Sequence, residues 1–369
     1  MVGRQSIVRH IAKFILACFF LVSSHASIAS PADTSKTAKK DKLRIRPVPV
    51  ISYAPETRFL FGVGALGTFQ LCKDTSTHYS LVAVFVAYTQ NNQDYIYIPY
   101  QFYTKNNTYY IEGEADYYNY SYYYWGIGTN RVPKELYNVR FPRILANGYR
   151  KIAGNFYAGI DYYLESDVIP WKQPGGELSK GTILGSKGSV SSGVGIDFQY
   201  DTRDSIYFPS RGWYIKGTSY FNTPLLGASG NFQRVITDVS YYTKLAKPLI
   251  LALNEHTQLC WGDVPFNQLS LVGGSKGMRG YYLGYYRDDY LTYFQAEARL
   301  HLFWRIGLDA FGEVGLLGNN KVFPESNSPI FAEGLGLRYN YDYRQHVNVR
   351  LDVGYGTSIE FYLTIQEGF

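Results

Sequence analysis

The sequence is poor in the residue types that build most metal, redox and catalytic sites. Its 369 residues include 3 cysteines and 6 histidines, and no two cysteines have the spacing of a zinc or redox motif. It contains neither a Gly-x-Ser-x-Gly elbow nor a His-Glu-x-x-His helix. We therefore expect no catalytic, metal or cofactor site. A hydrolase using His301 beside Glu297 and Arg299 stays an alternative that lacks a serine partner.

Long apolar runs are scarce as well, which argues against membrane-spanning helices. The most apolar segment, residues 14–22, follows three basic residues and precedes a run of small ones, the pattern of a secretory signal peptide. It is too short to span a bilayer. We assign residues 1–29 to the signal and leave the cleavage site open. Cys18 lies inside the apolar run, which disfavours lipid attachment at this position.

Charged residues make up 18% of the chain, and the positive excess is confined to its start. Residues 1–46 carry nine Lys or Arg and two Asp, whereas the remainder carries 27 basic and 28 acidic residues. A polar segment of this kind cannot bury a core, so we expect residues 30–46 to form a basic, disordered periplasmic tail. Because the excess leaves no basic surface on residues 47–369, we expect no binding to nucleic acid.

Tyrosine, glycine and alternating apolar and polar residues are what the sequence has in abundance, with 37 Tyr and 36 Gly. No long segment has the apolar spacing of a helix, and these residue types favour strands and turns. In residues 294–303 the two faces of a strand separate cleanly: Phe294, Ala296, Ala298, Leu300 and Leu302 against Gln295, Glu297, Arg299 and His301.

The strands that this alternation predicts are too long for an ordinary soluble sheet. Sixteen of them fit residues 47–369, many with ten or more residues, whereas strands in globular proteins average about five or six. A transmembrane strand needs about nine to eleven residues, and bacterial barrels have an even strand number. We therefore predict an all-β, transmembrane antiparallel β-barrel of about 16 strands. A secreted β-sandwich is the alternative, because its strands also alternate.

The predicted connections sort by length in a way that fits the same architecture. Those after odd-numbered strands include the long ones, residues 119–135, 167–188, 262–287 and 317–329, and most of the others are short. Long outer loops and short periplasmic turns are typical of the Gram-negative outer membrane, where we place the protein. Cys72 and Cys260 fall at opposite ends of this barrel, so we predict two free thiols.

Four segments resemble one family of outer-membrane barrels. "LVGGSKGMRGYYLGYYRDDY", residues 271–290 and here called the Gly-rich loop, contains Arg279-Gly280-Tyr281, with five predicted strands after it. "YDTRDSIYFPSRGWYIKG" contains Asp201, Arg203, Asp204, Pro209 and Gly212. "PVPVISYAPETRFLFGVGALGTF" forms the first two strands, and "FGEVG" carries Glu313 where the family has Asp. Together these segments resemble the BamA/TamA family, also called the bacterial surface antigen family.

The resemblance implies a function in inserting or assembling outer-membrane proteins, or in translocating proteins. It implies lateral opening between the first and last strands, residues 47–54 and 358–369, and it implies outer-membrane lipid, barrel-assembly machinery and unfolded client proteins as partners. The closing Phe369 resembles the family's C-terminal assembly signal; an ordinary last strand is the alternative. About seventeen residues separate the signal from the first strand, so we expect no periplasmic substrate-binding repeats in this chain.

The Gly-rich loop has a physical reason to fold inward. A sixteen-stranded barrel has a lumen too wide for its own side chains to fill, and glycine permits the turns that an inward loop needs. A buried Arg279 then requires a carboxylate. Family likeness and strand parity select Glu313, with Asp309, Glu297 and Asp352 as alternates. A solvated outer loop with no fixed partner for Arg279 is the other interpretation.

Two further expectations stay open. The turn at Asp201 is expected either to be self-stabilising, with Arg203 bridging Asp201 and Asp204, or merely to be solvated by its charges. The barrel as a whole is expected to insert or translocate proteins, or alternatively to be a loop-gated channel or porin for small solutes or ions. In a channel, the acidic lumen residues favour cations: Glu112, Glu114, Asp116, Asp161, Asp197, Glu297 and Asp309.

Overall fold

The computed structural model describes residues 44–72, 77–206, 208–342 and 347–365, together with Glu367 and Phe369. The predicted signal peptide, residues 1–29, and most of the predicted tail lie outside the described residues. The first strand begins at Arg44, so the last three residues of the tail predicted over residues 30–46 belong to the barrel instead.

Strands dominate the described part of the chain. They are β1 (Arg44–Ala54), β2 (Arg58–Phe69), β3 (Ser80–Thr89), β4 (Asp94–Tyr103), β5 (Tyr109–Tyr124), β6 (Glu135–Ala153), β7 (Phe156–Lys172), β8 (Ser189–Asp201), β9 (Gly212–Asn222), β10 (Phe232–Ala246), β11 (Leu249–Gly262), β12 (Ser270–Leu271), β13 (Arg287–Asp288), β14 (Tyr290–Phe303), β15 (Ile306–Gly318), β16 (Ile330–Asp342), β17 (Val347–Tyr355) and β18 (Ile359–Ile365). Three single-turn 3-10 helices lie at Lys105–Asn107, Leu178–Lys180 and Pro224–Leu226. No helix among the described residues is long and apolar enough to cross a membrane.

Sixteen of these strands close into one antiparallel barrel, in which β11 pairs with β14 and β18 returns to β1. The predicted strand number and fold class are thereby confirmed. The two remaining strands, β12 and β13, pair with each other at the base of the Gly-rich loop. This ribbon is not predictable from alternation, because two-residue strands are too short to display it.

The two faces of the wall differ as the alternation predicts. On β8, Val194 and Ile196 are 50% and 65% exposed and face outward, whereas Ser191 and Asp197 are fully buried and face the lumen. An apolar outer face and a polar inner one are the pattern of a barrel whose outside contacts lipid and whose inside does not. The polar interior is consequently where charged side chains meet.

Two strands, β5 and β7, extend farther than the sequence predicts. β5 continues to Tyr124 and β7 to Lys172, so they occupy parts of the loops expected at residues 119–135 and 167–188. The end of β5 reads "YYNYSYYY", in which aromatic residues occupy both faces and hide the alternation. β5, β6 and β7 are therefore long strands that lengthen the wall at one end of the barrel.

The connections separate by length between the two ends. One end, here called the long-loop end, carries residues 125–134, 173–188, 263–269, 272–286 and 319–329. The opposite short-turn end carries residues 154–155, 247–248 and 304–305 and, as its longer members, residues 70–79 and 202–211. This sorting confirms the predicted arrangement. Cys72 and Cys260 are both free, as predicted, and Cys260 is fully buried near the long-loop end.

The seam between β1 and β18 is the weakest junction of the wall. β1 and β2 pair along the whole strand, from Arg44↔Thr68 to Ala54↔Arg58. Among the described residues, β1 and β18 register only at Tyr53↔Leu363, near the long-loop end, where Ser52 Oγ also donates to the Leu363 carbonyl at 2.9 Å.

The sequence of β1 explains part of this weakness. β1 carries Pro47 and Pro49, which have no N–H to donate and are two residues apart, so both leave the same edge without a donor. Proline is tolerated at a sheet edge. The composition of β1 therefore favours an edge strand over one paired on both sides.

Candidate functional site: an arginine-tipped loop in the lumen

Apolar clusters close the long-loop end above the lumen. One cluster brings together the ends of β5, β6, β7, β10 and β11 with loop residues, including Tyr124, Leu178 and Phe266. A second packs Met278 and Tyr281 of the Gly-rich loop against β14, β15 and β16. The loop therefore turns into the barrel, and its tip lies between these clusters and the polar lumen.

Arg279 lies at this tip and is fully buried. Each of its three guanidinium nitrogens lies 2.9 Å from a carboxylate oxygen of a different residue: Glu297, Glu313 and Asp352. Glu313 also accepts the Arg279 backbone N–H at 3.0 Å, and the guanidinium lies 3.5 Å from the centre of the Phe311 ring. Of the four carboxylates considered from the sequence, the structure brings three to Arg279, and Glu313 binds it at two points.

Asp309, the remaining alternate, binds a different arginine. Arg338 of β16 lies 2.9 Å from Asp309, 2.5 Å from Asp352 and 3.3 Å from Glu297. Two of the carboxylates that hold Arg279, those of Glu297 and Asp352, are thus themselves held by a second arginine. This second layer gives the site its rigidity, because a buried ion pair is favourable only where its remaining atoms are also satisfied.

Two further arginines belong to this site, and the sequence only partly predicts their positions. Arg299 lies 2.8 Å from Glu297 and Arg350 lies 3.3 Å from Asp352, and both are buried. Arg299 on β14 and Arg350 on β17 occupy inward-facing positions of the alternating pattern, so their burial could be expected from the sequence. Parity alone does not tell which lumen residues meet, because this depends on the tilt and stagger of the strands.

The backbone of the loop packs directly on β17 and β18. Gly280 has φ +109°, and a Cβ there would lie 2.4 Å from the backbone of Tyr355. Its N–H donates to the Tyr362 hydroxyl at 3.0 Å. Tyr281 is buried and donates its hydroxyl to the Phe331 carbonyl at 2.9 Å. Glycine is required at position 280 because the left-handed conformation and the close approach both exclude a side chain.

Glu56, in the turn between β1 and β2, binds the same loop from the other side of the seam. Its carboxylate accepts the Leu283 N–H at 2.6 Å, and its carbonyl accepts from Asn91 and Gln93. Burial raises the pKa of Glu56 to about 7, although the Leu283 N–H acts in the opposite direction. Glu56 was not among the residues predicted from the sequence, since a single acid in a tight turn carries no signal of a partner 227 residues away.

The turn of residues 202–211 differs from the predicted arrangement. Arg203 binds Asp201 in a two-point contact of 3.0 and 2.7 Å, and it lies 4.1 Å from the Tyr214 ring. Of the two alternatives, the turn is self-stabilising, but Arg203 pairs with Asp201 alone and does not bridge to Asp204. Asp204 instead accepts the Ser210 N–H at 2.8 Å and the Ser210 hydroxyl.

The difference follows from local hydrogen bonding. Partial burial alone raises the pKa of Asp204, but the hydrogen bonds from Ser210 and Arg211 bring it below its usual value. Pro209 is buried, and Gly212 has φ +111° with a Cβ position 2.4 Å from the Thr202 carbonyl. The motif therefore forms one compact turn with two separate acid contacts.

The C-terminal residues turn into the lumen. β18 ends at Ile365, so its alternation no longer governs Glu367, which binds Arg338 at 2.9 Å instead of interrupting the outer apolar face. The Phe369 ring stacks at 6.4 Å on the buried Tyr242. Its interior position distinguishes Phe369 from the outward-facing residues Phe361 and Ile365.

The family follows from the sequence profile of the Omp85 superfamily domain, which matches residues 100–359. The chain belongs to the Omp85 superfamily. Omp85 barrels reside in the Gram-negative outer membrane, and so does this protein. Since short turns face the periplasm, the long-loop end of this Omp85 barrel is extracellular and the short-turn end periplasmic.

Solved structures show the same fold. BamA from Haemophilus ducreyi lacking POTRA domains 1–3 has a TM-score of 0.61 at 12% identity, over 88% of this chain and 70% of that one. CdiB from Acinetobacter baumannii has a TM-score of 0.55 at 13% identity, over 87% of this chain and 59% of that one. CdiB from Escherichia coli has 0.57 at 10%, over 89% and 68%. A sequence search of curated proteins finds no match.

The profile match confirms the resemblance to the BamA family at the level of the superfamily, and the solved structures confirm the fold. At such low identity they do not transfer a client or a partner. In the part of the chain that the structure describes, no group of three or more His, Cys, Asp or Glu side chains is arranged as a metal centre. The ion pairs of Arg279 bind the inward loop to the wall.

Arg279→Ala tests the contribution of the loop tip to stability. The substitution leaves three buried carboxylates without this guanidinium, and breaking a buried pair costs about 3–5 kcal/mol. We expect the free energy of unfolding to fall by that amount, measured by urea titration in detergent micelles. The matched control is Arg211→Ala, because Arg211 is 80% exposed and lies 4.0 Å from Asp204. Equal stability of the two variants would contradict the inward anchor.

Glu56→Gln tests the pH dependence of the contact across the seam. The pKa of Glu56 rises from 4.5 to about 7 on folding, so the folded state holds the proton more tightly between these values. Stability therefore falls as the pH rises through this window, by up to about 3 kcal/mol. We expect the unfolding temperature of the wild type to drop between pH 5 and about 7, and that of Glu56→Gln to lack this component. An identical pH profile for both proteins refutes the assignment.

Proposed function

We propose that this Omp85 barrel inserts or translocates proteins by opening laterally between β1 and β18. The observation that carries the proposal is the seam itself, where the described residues of the two strands register only at Tyr53↔Leu363. Every other neighbouring pair of barrel strands has an extended ladder. Separating β1 from β18 therefore breaks far fewer backbone hydrogen bonds than opening the wall elsewhere.

The position of the Gly-rich loop supports control of this opening. On one side of the seam, Leu283 donates its N–H to Glu56 at 2.6 Å. On the other, Gly280 donates its N–H to Tyr362 of β18 at 3.0 Å. A loop held at both sides opposes their separation. Movement of the loop and opening of the seam are coupled in this proposal.

Two surfaces define the partners in this proposal. The outward apolar side chains, such as those of Val63, Ile196 and Leu335, contact outer-membrane lipid. The freed edge of β1 offers unpaired backbone groups, to which the strand of an unfolded client can add. Outer-membrane client proteins, and the barrel-assembly machinery that delivers them, are therefore the protein partners that we propose.

A disulfide across the seam tests the proposal. In a Cys72→Ser, Cys260→Ser background, Tyr53→Cys and Leu363→Cys place two thiols on the registered pair. We expect the oxidised protein to lose client insertion in reconstituted proteoliposomes, because the strands can no longer part, and to regain it on reduction. Folding of an added outer-membrane barrel protein, read as its heat-modifiable band, is the measurement.

The control disulfide joins strands that need not separate. Ile51→Cys and Phe61→Cys lie on a registered pair of β1 and β2, and this lock should leave insertion unchanged. If the seam lock is as active as the control lock, lateral opening is not the mechanism. Loss of activity with both locks instead indicates that β1 must move away from β2 as well.

A loop-gated channel is the second candidate, supported by the lumen carboxylates Glu112, Asp161 and Asp197. Planar-bilayer conductance separates the two functions. We expect the wild type to be mostly closed, since the Gly-rich loop and the apolar clusters obstruct the long-loop end, and Arg279→Ala to raise the open fraction. A steady, cation-selective open pore in the wild type favours the channel.

A further inference from the structure

A second group of buried acids lies in the lumen wall of β5 to β8, away from the Gly-rich loop. Glu112 of β5 registers with Asn147 of β6, and Asn147 registers with Asp161 of β7. On β8, Asp197 lies diagonal to Asp161, because Gly159 registers with Asp197 and Asp161 with Gly195. Both Asp161 and Asp197 are buried on the lumen side of this wall.

Part of this group is satisfied by neighbouring side chains. Lys216 Nζ lies 3.0 Å from a Glu112 oxygen and 3.6 Å from Oδ2 of Asp197. The same Asp197 oxygen accepts from the Tyr149 hydroxyl at 2.8 Å and from the Thr218 hydroxyl at 2.9 Å. Lys216 is thus shared between Glu112 and Asp197, and its shorter contact is with Glu112.

Four oxygen atoms of the group have no hydrogen-bond partner: both carboxylate oxygens of Asp161, Oδ1 of Asp197 and Oδ1 of Asn147. Their side chains are at most 3% exposed. An unpartnered buried carboxylate is strongly unfavourable, because the lost hydration is not replaced. The oxygens of Asp161 and Asp197 that the chain leaves without a partner therefore need water, a shared proton or a bound cation.

The opposite half of the lumen shows how this protein satisfies buried acids when it uses side chains alone. There Arg279 and Arg338 meet Glu297, Asp309, Glu313 and Asp352 at 2.5 to 3.3 Å. Even within the N-terminal half, Asp116 has Arg143 at 2.8 Å. Among the described residues, Asp161 has no arginine or lysine within ion-pair distance. It differs in this respect from the buried lumen acids named above, which have arginine partners.

We propose that Asn147, Asp161 and Asp197 bind a divalent cation of the calcium type. The available donors are all oxygens, two carboxylates and one amide, which suits hard cations and not zinc or copper. With Lys216 matched by Glu112, the two aspartates supply the two negative charges that a divalent ion needs. The site differs from a conventional cluster of three acids because the third donor is the Asn147 amide. The bound ion crosslinks β6, β7 and β8.

Terbium luminescence tests the site, because Tb³⁺ replaces Ca²⁺ at oxygen sites and is sensitised by a nearby tyrosine. Tyr149 Oη lies 3.4 Å from the Asn147 amide nitrogen. We expect the EDTA-stripped, full-length protein in detergent to give tyrosine-excited Tb³⁺ emission that Ca²⁺ displaces. Asp161→Asn should weaken binding by at least about 100-fold, since even the loss of an outer partner of a metal ligand costs 10–100-fold.

The matched control is Asp116→Asn, which removes a buried lumen acid whose charge is met by Arg143. It should bind Tb³⁺ as the wild type does. A second readout needs no variant: Ca²⁺ should raise the unfolding temperature of the stripped wild type, and EDTA should reverse this.

Three outcomes overturn the proposal. They are no Ca²⁺-displaceable emission from the wild type, equal emission from Asp161→Asn, and an unfolding temperature that responds to pH but not to Ca²⁺. The last indicates that Asp161 and Asp197 share a proton instead of a metal ion. If Asp161→Asn does not fold, the wild-type titrations with Tb³⁺ and Ca²⁺ decide the question.

Discussion

The burial of one guanidinium inside a polar lumen is the constraint on which this structure depends. Arg279 is fully buried, and its three nitrogens are matched by carboxylates from β14, β15 and β17. These three strands must therefore hold their stagger, or one of these charges is left without a partner. Because the arginine belongs to a loop and the acids belong to the wall, the same interaction sets both the shape of the barrel and the position of the loop. The planar guanidinium can make three contacts at once, which a lysine ammonium cannot match in this geometry.

A barrel that must be closed but also able to open needs one pair of neighbouring strands that is held together less strongly than the others. Here β1 carries Pro47 and Pro49, and its described contact with β18 is centred on Tyr53 and Leu363. The remaining strands are joined by long ladders, so thermal opening is expected to start at the seam. The Gly-rich loop offsets this weakness from inside through its contacts with Tyr362 and the β1–β2 turn. Because the Gly-rich loop holds the weakly paired strands β1 and β18 together, movement of the loop can open the seam without unfolding either strand.

The sequence predicts those features that depend on periodicity and misses those that depend on curvature. Alternation on β15 placed Glu313 on the inner face, and the need of a buried arginine for a carboxylate made it a candidate for Arg279. The same reasoning could not choose between Glu313 and Asp309, because both have the same parity; the stagger of β16 brings Arg338 to Asp309 instead.

Glu56 was missed for a related reason. Its partner, the Leu283 N–H, is a backbone group of a loop, and no side-chain pattern predicts where such a loop folds. The two halves of the lumen differ in how they satisfy their buried acids. Where arginines are present, as at Asp352, the chain neutralises the acids itself and fixes the loop. Where they are absent, as at Asp161, hydration or a bound ion must take their place, because a carboxylate cannot stay buried and alone. Buried acids thus give a rigid anchor on one side of the lumen and leave room for a ligand on the other.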